Sequence, residues 1–109
     1  MTVPEIKRIQ VHELKKRMEH GAVILIDVRE VYEWQMIRIP NTIHIPKDQL
    51  SQCLGNYVAD KNHPIYLLCK AGVRSLYAAE HLLQLGYQNV YSIDGGIIDW
   101  FNHGYPVEK

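Results

Sequence analysis

Short apolar runs alternate along the chain with stretches in which apolar residues recur every three or four positions. Residues 23–28 are almost wholly apolar, and residues 65–69, which follow Pro64, form a second run of this kind. Runs without a polar face are typical of strands buried on both faces of a parallel sheet. The remaining predicted strands are residues 90–93, a weaker run at 42–45 and a short edge strand at 6–9.

Four amphipathic stretches lie between or after these runs, and each precedes a glycine, which is a typical helix stop. The glycines are Gly21, Gly55, Gly86 and Gly104. The apolar faces are Val11, Leu14 and Met18; Leu50 and Leu54; Leu76, Ala79, Leu82 and Leu83; and Ile97, Ile98 and Phe101. This alternation predicts one small α/β domain over residues 1–109, with a mostly parallel sheet of about five strands and helices on both faces. In that architecture ligands gather at the carboxyl ends of the strands.

Composition narrows the possible partners. The 109 residues include 12 Lys plus Arg and 12 Asp plus Glu, so the formal net charge is zero. Nucleic-acid binding needs a basic excess, and a membrane span needs about 20 apolar residues, so neither partner is expected. Residues 1–5 do not resemble the start of a signal peptide. Because two cysteines are too few for a disulfide scaffold, we expect reduced thiols and a cytoplasmic location.

The turn from the run at 65–69 into the longest amphipathic stretch concentrates reactive groups. A cysteine there faces a helix N-terminus, whose free amides and dipole favour a thiolate. Gly72 permits a tight turn, and Ser75 can cap the helix or donate to the sulfur. Arg74 is a cation at a helix start, where carboxylates are preferred, so it has another role such as binding an anion. The whole segment is Cys69, Lys70, Ala71, Gly72, Val73, Arg74 and Ser75. The alternative is a buried structural cysteine beside two solvated cations.

Three segments, in order along the chain, resemble the rhodanese-like family of single-domain sulfurtransferases. Residues 69–75 resemble its active-site loop, C-x-x-G-x-R-[ST]. Residues 26–46, which begin I-D-V-R-E, resemble D-V-R-E…E-[FYW]…G-H-I-P-G-A-x-N-I-P. Residues 86–100 resemble the closing pattern G-[FY]-x-x-V-x-x-L-x-G-G-[FIM]-x-x-W. The resemblance covers nearly the whole chain.

The resemblance implies a persulfide cycle on Cys69. The cysteine would take sulfane sulfur from a donor such as thiosulfate and pass it to cyanide, a thiol or a partner protein. Lys70 and Arg74 would receive an anionic donor, and no metal or organic cofactor is needed. The alternative is a sulfur-relay module that serves one dedicated partner in thiamine, molybdopterin or tRNA thiolation. A cysteine phosphatase is disfavoured, because its loop is C-x5-R and this chain has four residues between Cys69 and Arg74.

Departures from the family pattern lie away from this loop. Ile37 and Arg38 replace the usual Gly-His, and Asn41 and Thr42 replace Gly-Ala. Asn41 tolerates the left-handed conformation, so we expect that turn to survive. Ile37 does not, so the local backbone is expected to differ.

Several other residues are open to two interpretations. Asp27 and Arg29 end a predicted strand at the sheet edge of Cys69, and they support the site or form a purely structural salt bridge. Trp34 and Trp100 wall the site or belong to the core. Cys53 lacks a basic or glycine context and is interpreted as a half-buried bystander, with a resolving thiol as the alternative. The six histidines show no metal-ligand spacing, so no metal site is predicted. Residues 15–17, Lys-Lys-Arg, are interpreted as a solvated helix face.

Overall fold

The computed structural model describes residues 5–109, and within them five parallel strands are flanked by five α-helices. The strands are β1 (Lys7–Ile9), β2 (Ile24–Asp27), β3 (Ile43–His44), β4 (Ile65–Leu68) and β5 (Val90–Ile93). The helices are α1 (Val11–His20), α2 (Val31–Met36), α3 (Leu50–Cys53), α4 (Val73–Gln84) and α5 (Gly96–Asn102). Single 3-10 turns at Lys47–Gln49 and Leu54–Asn56 flank α3. The predicted fold class is confirmed, although residues 1–4, and with them most of the segment examined for a signal peptide, lie outside the described residues.

The sheet has the order β1-β5-β4-β2-β3, with every neighbouring pair parallel. All four residues of β4 are buried, and β4 lies between β2 and β5. All five predicted strands are present. The prediction at 90–93 has the same bounds as β5, and the other four are too long by one or two residues: β3, for example, covers two residues of the run at 42–45. The carboxyl ends of β2, β4 and β5 therefore meet at one edge of the sheet.

Successive strand residues point into two separate apolar clusters, one on each face. Ile26 and Leu67 belong to the cluster under α3 and α4, with Ala79 and Leu82 of α4. Their neighbours belong to the other cluster, under α1 and α5, whose fully buried members include Leu14, Leu25, Leu68 and Trp100. This alternation explains why the central strands β2 and β4 lack a polar face. None of the helices formed by residues 5–109 has both the length and the apolar character needed to cross a membrane.

Helix α2 was not predicted from the apolar pattern. It has six residues and none of them is buried, so it has no apolar stripe to recognise. Its start is set by a capping box, in which Glu30 and Glu33 each accept a hydrogen bond from the other's backbone amide. The spacing of these two glutamates was the sequence feature that could have indicated the start of this helix.

The residues between α2 and β3 that depart from the family pattern have ordinary backbone conformations. Asn41 has φ of 66°, so the expected left-handed turn is present, and Ile37 is extended at φ −160°. Arg38 forms an isolated antiparallel bridge and an ion pair (3.4 Å) with Glu108. The C-terminal segment is further held by Trp100, whose Nε1–H donates to the Pro106 carbonyl at 2.7 Å.

Candidate active site

The sulfur of Cys69 lies directly after β4 and faces the first turn of α4. The Gly72 amide donates to Sγ at 3.0 Å and the Ser75 amide at 3.4 Å. The Ser75 hydroxyl lies 3.5 Å from the same sulfur. Cys69 itself is buried. The structure thus brings the sulfur, two backbone donors and the positive end of a helix dipole together, an arrangement that stabilises an anionic sulfur.

The Cys69 loop is held in shape by the start of α5. The amides of Ile97 and Ile98 donate to the carbonyls of Cys69 (2.9 Å) and Lys70 (3.1 Å). Gly96 has a positive φ, 58°, and a Cβ there would overlap both of those carbonyl oxygens. Gly96 lies in the segment 86–100 that resembles the family's closing pattern, and its physical role is to allow this close approach of two backbones.

A buried pair of hydroxyl groups, from Ser75 and Ser92, links the start of α4 to β5 next to the loop. The side-chain oxygens of Ser75 and Ser92 lie 2.7 Å apart, and both residues are fully buried. Ser92 belongs to β5 and was not singled out from the sequence, where it is a single polar residue in an apolar run. A polar residue within an apolar strand indicates a buried hydrogen bond, and this was the sequence feature that could have identified Ser92.

Arg74 is bound by a carboxylate of the chain itself. Its Nη1 and Nη2 donate to Oε1 and Oε2 of Glu33 at 2.7 and 2.9 Å. The hydrogen bonds from Arg74 lower the pKa of the Glu33 carboxyl to about 2, and those bonds in turn raise the pKa of Arg74. The anion that explains a cation at this helix start is therefore Glu33, so the loop and α2 are joined by a bidentate ion pair.

Asp27 and Arg29 form a separate pair at the carboxyl end of β2, where both are buried. Arg29 Nη2 donates to Asp27 Oδ2 at 2.8 Å, and Nε donates to Oδ1 at 3.0 Å. The guanidinium also donates to the carbonyls of Glu33 (3.3 Å) and Ile37 (2.6 Å) at the end of α2. Asp27 and Arg29 thus form a buried salt bridge, and Arg29 fixes the end of α2 against the sheet.

A cleft of about 370 Å³ opens beside the loop, between α2 and α5. Its lining residues are Arg29, Tyr32, Glu33, Met36, Ile37, Lys70, Ile97, Ile98, Phe101 and Asn102. Neither tryptophan is among them. Trp100 is buried in the core, and Trp34 stacks on His44 with ring centroids 4.9 Å apart. The aromatic walls are Tyr32 and Phe101 instead.

The remaining candidates lie elsewhere. Cys53 is half-buried against the cluster under α3 and α4, and both cysteines are free thiols. Within residues 5–109 no three His, Cys, Asp or Glu side chains are grouped so that they could hold a metal ion. The Lys15 to Arg17 run is only partly a solvated face, because Arg17 donates to the Tyr66 hydroxyl at 2.9 Å and lies over the Tyr91 ring.

Comparison with known proteins agrees with this geometry. The Rhodanese-like domain family matches residues 10–103, and the chain belongs to that family. It is 29% identical over 100 residues to the thiosulfate sulfurtransferase GlpE of Vibrio cholerae, with 92% of each chain covered.

Solved structures give the same answer. A rhodanese-related protein from Thermoplasma volcanium is 32% identical with a TM-score of 0.79, over 94% of this chain and 97% of that one. A rhodanese-like domain protein from Staphylococcus aureus is 31% identical with a TM-score of 0.80, over 95% and 100%. The recognition made from the three sequence segments is confirmed.

Proposed function

We propose that this chain is a sulfurtransferase that carries sulfane sulfur on Cys69 as a persulfide. The observation that carries the proposal is the convergence of the Gly72 and Ser75 amides on Sγ, at 3.0 and 3.4 Å. The similarity to a thiosulfate sulfurtransferase supports the same chemistry. The proposed site is Cys69 together with its loop, Lys70, Ala71, Gly72, Val73, Arg74 and Ser75, and Asp27 and Arg29 support it from β2.

The proposed cycle has two displacement steps. The Cys69 thiolate attacks the outer sulfur of thiosulfate, the S–S bond of thiosulfate breaks, and sulfite leaves with the electron pair. Cyanide then attacks the terminal sulfur of the persulfide, and thiocyanate forms as the Cys69 thiolate is released. Both enzyme forms carry negative charge on sulfur, and fixed backbone donors stabilise such charge without reorganisation.

A phosphatase function for the same loop is disfavoured by the pairing of Arg74. Both of its terminal nitrogens donate to Glu33, so the guanidinium is already paired with a carboxylate of the chain. Four residues also separate Cys69 from Arg74, where the phosphatase loop has five.

The proposal is tested by steady-state formation of thiocyanate from thiosulfate and cyanide. We expect turnover in the wild type and in Cys53→Ser, and none above background in Cys69→Ser. Circular dichroism should show that both variants keep the fold. Turnover that persists in Cys69→Ser, or is absent from a folded wild type with reduced thiols, would contradict the proposal.

The second candidate is a persulfide relay to one protein partner. Its support is the exposure of Tyr32 and Met36 beside the loop, at 66% and 71%, since a docked protein would cover both side chains. A relay would take up one sulfur from a desulfurase while turning over thiosulfate negligibly. For either role we propose a reducing, cytoplasmic setting, because both thiols are free in the structure.

A further inference from the structure

A group of cations and tyrosines lies on the face of the sheet opposite Cys69. Lys7 and Tyr66 are the register partners of Tyr91 on the two neighbouring strands, β1 and β4, so the three side chains share one face. Both tyrosines pack into the apolar cluster under α1 and α5, whereas Cys69 belongs to the cluster on the other face. Arg17 of α1 completes the group, which we call the tyrosine cluster (Lys7, Arg17, Tyr66 and Tyr91). The tyrosine cluster is therefore separate from the proposed sulfur-transfer site.

The ring of Tyr91 lies close to two cations. Its centroid is 4.9 Å from Arg17 Cζ and 5.1 Å from Lys7 Nζ, and it stacks on the Tyr66 ring at 4.7 Å. The negative charge of an ionised phenol spreads into the ring. Cations over that ring therefore stabilise the phenolate more than they stabilise the neutral phenol.

Other partners hold both cations in place. Arg17 donates from Nη1 to the Tyr66 hydroxyl at 2.9 Å and from Nε to Glu13 Oε1 at 3.1 Å. Lys7 Nζ donates to Asn89 Oδ1 at 2.8 Å. Glu13 offsets part of the charge of Arg17, but the partner of Lys7 is a neutral amide. The positive charge beside the Tyr91 ring is thus fixed in position and only partly compensated.

Tyr91 is half-buried, so part of its side chain is open to solvent. Burial raises the pKa of this phenol, but its interactions with Arg17 and Lys7 outweigh burial and lower the pKa below its usual value. Tyr57 and Tyr77 are 55% and 63% exposed and lie outside the tyrosine cluster. A chemical preference for Tyr91 over these two residues would therefore report the nearby cations and not accessibility.

We propose that Tyr91 is a site of covalent modification, at which the phenol oxygen takes up an electrophilic sulfonyl group. With an aryl sulfonyl fluoride, the phenolate oxygen attacks the sulfonyl sulfur and the S–F bond breaks. Fluoride leaves with the electron pair, so the single negative charge of the reactants is kept and the product is a neutral aryl sulfonate ester. This chemistry does not use Cys69, so the inference goes beyond the proposed function and stands or falls separately from it.

The test treats the folded protein with benzenesulfonyl fluoride and follows the labelling of each tyrosine by peptide mass spectrometry. Labelling is carried out at about pH 8, below the usual tyrosine pKa of about 10. Lys7→Met removes one cation of the tyrosine cluster and keeps an unbranched side chain. Arg8→Met is the matched control, because Arg8 is the next residue of β1, pairs with Asp94 and is aligned with Ser92 instead of Tyr91. A titration of phenolate absorbance in the wild type and in Tyr91→Phe gives a second readout without any label.

We expect Tyr91 to be labelled at least about threefold faster than Tyr57 or Tyr77, and Lys7→Met to lower that rate about threefold, as expected for one exposed cation–π contact. Arg8→Met should leave the rate within about twofold. The phenolate absorbance that appears at the lowest pH should be missing in Tyr91→Phe, and the preference for Tyr91 should disappear in protein unfolded by urea.

Four results would overturn the inference. The first is labelling of Tyr57 or Tyr77 as fast as that of Tyr91, and the second is an equal effect of Lys7→Met and Arg8→Met on the rate. The third is a preference for Tyr91 that persists in urea, because it would then come from the local sequence and not from the fold. The fourth is a phenolate titration that Tyr91→Phe leaves unchanged at its low-pH end.

Discussion

The two cysteines of this chain occupy contrasting surroundings, although a composition count treats them alike. Cys69 ends a central strand, and two backbone amides donate to its sulfur. Cys53 is the last residue of α3 and packs against apolar side chains, and within residues 5–109 no amide donates to its sulfur. Reactivity of a thiol depends on what stabilises its anion, so the difference lies in the backbone around each sulfur.

The largest effect is expected where the backbone itself shapes the Cys69 loop. In Gly96→Ala the new Cβ would overlap the carbonyl oxygens of Cys69 and Lys70, and φ is 58°. We expect a loss of about 3 kcal/mol in the free energy of unfolding, measured by urea titration, and at least tenfold lower thiosulfate turnover.

The matched change near Cys53 is Gly55→Ala, where a Cβ would meet nothing within 4 Å. We expect its free energy of unfolding to be unchanged or raised by up to about 1 kcal/mol, with normal turnover. Equal losses in the two glycine variants would show that the Cys69 region is not specially constrained.

A smaller effect is expected for the hydroxyl pair below the loop. Ser92→Ala removes the partner 2.7 Å from the Ser75 hydroxyl, in a fully buried position. Its expected cost is about 1 to 2 kcal/mol of unfolding free energy, with a reduced rate of Cys69 alkylation by iodoacetamide. Ser51→Ala, at an exposed position in α3 near Cys53, should change stability by less than about 0.5 kcal/mol. An unchanged alkylation rate in Ser92→Ala would show that the hydroxyl pair does not affect the reactivity of the Cys69 thiol.

The smallest stability effect is expected for the ion pair between α2 and α4, and it depends on pH. Because the pKa of Glu33 falls from 4.5 to about 2 on folding, its stabilisation is present above pH 4.5 and disappears as the pH falls toward 2. Glu33→Gln should therefore cost about 1 kcal/mol at pH 7, since Arg74 is 36% exposed, and almost nothing near pH 2.

Urea unfolding of the wild type and Glu33→Gln at both pH values measures this difference. Glu19→Gln removes an exposed pair with Lys15 within α1 and should cost less than about 0.5 kcal/mol. A Glu33→Gln loss that is the same at both pH values would contradict the assigned pKa.

Much of the fold could be predicted because its signals are local. Apolar runs marked β2, β4 and β5, since these strands are mostly buried on both faces, and a glycine followed each amphipathic stretch. Helix α2 was missed because it buries no residue. The spatial order of the strands carries no local signal and came only from the structure.

The same distinction between local and long-range signals applies to the site. Cys69 and its loop could be identified because the end of a strand, a glycine and the start of a helix all lie within seven residues. The pairing of Arg74 with Glu33 could not, because the two residues are 41 positions apart and only the packing of α2 brings them together. The contact of α5 amides with the loop carbonyls is likewise a product of tertiary structure.

The most direct test of the contrast between the two thiols is intact mass spectrometry after a single exposure of the reduced protein to thiosulfate. The wild type and Cys53→Ser should each gain the mass of one sulfur atom, and that gain should disappear on addition of cyanide. Cys69→Ser should gain nothing. A sulfur atom retained in Cys69→Ser and lost in Cys53→Ser would assign the chemistry to the other cysteine and contradict the account.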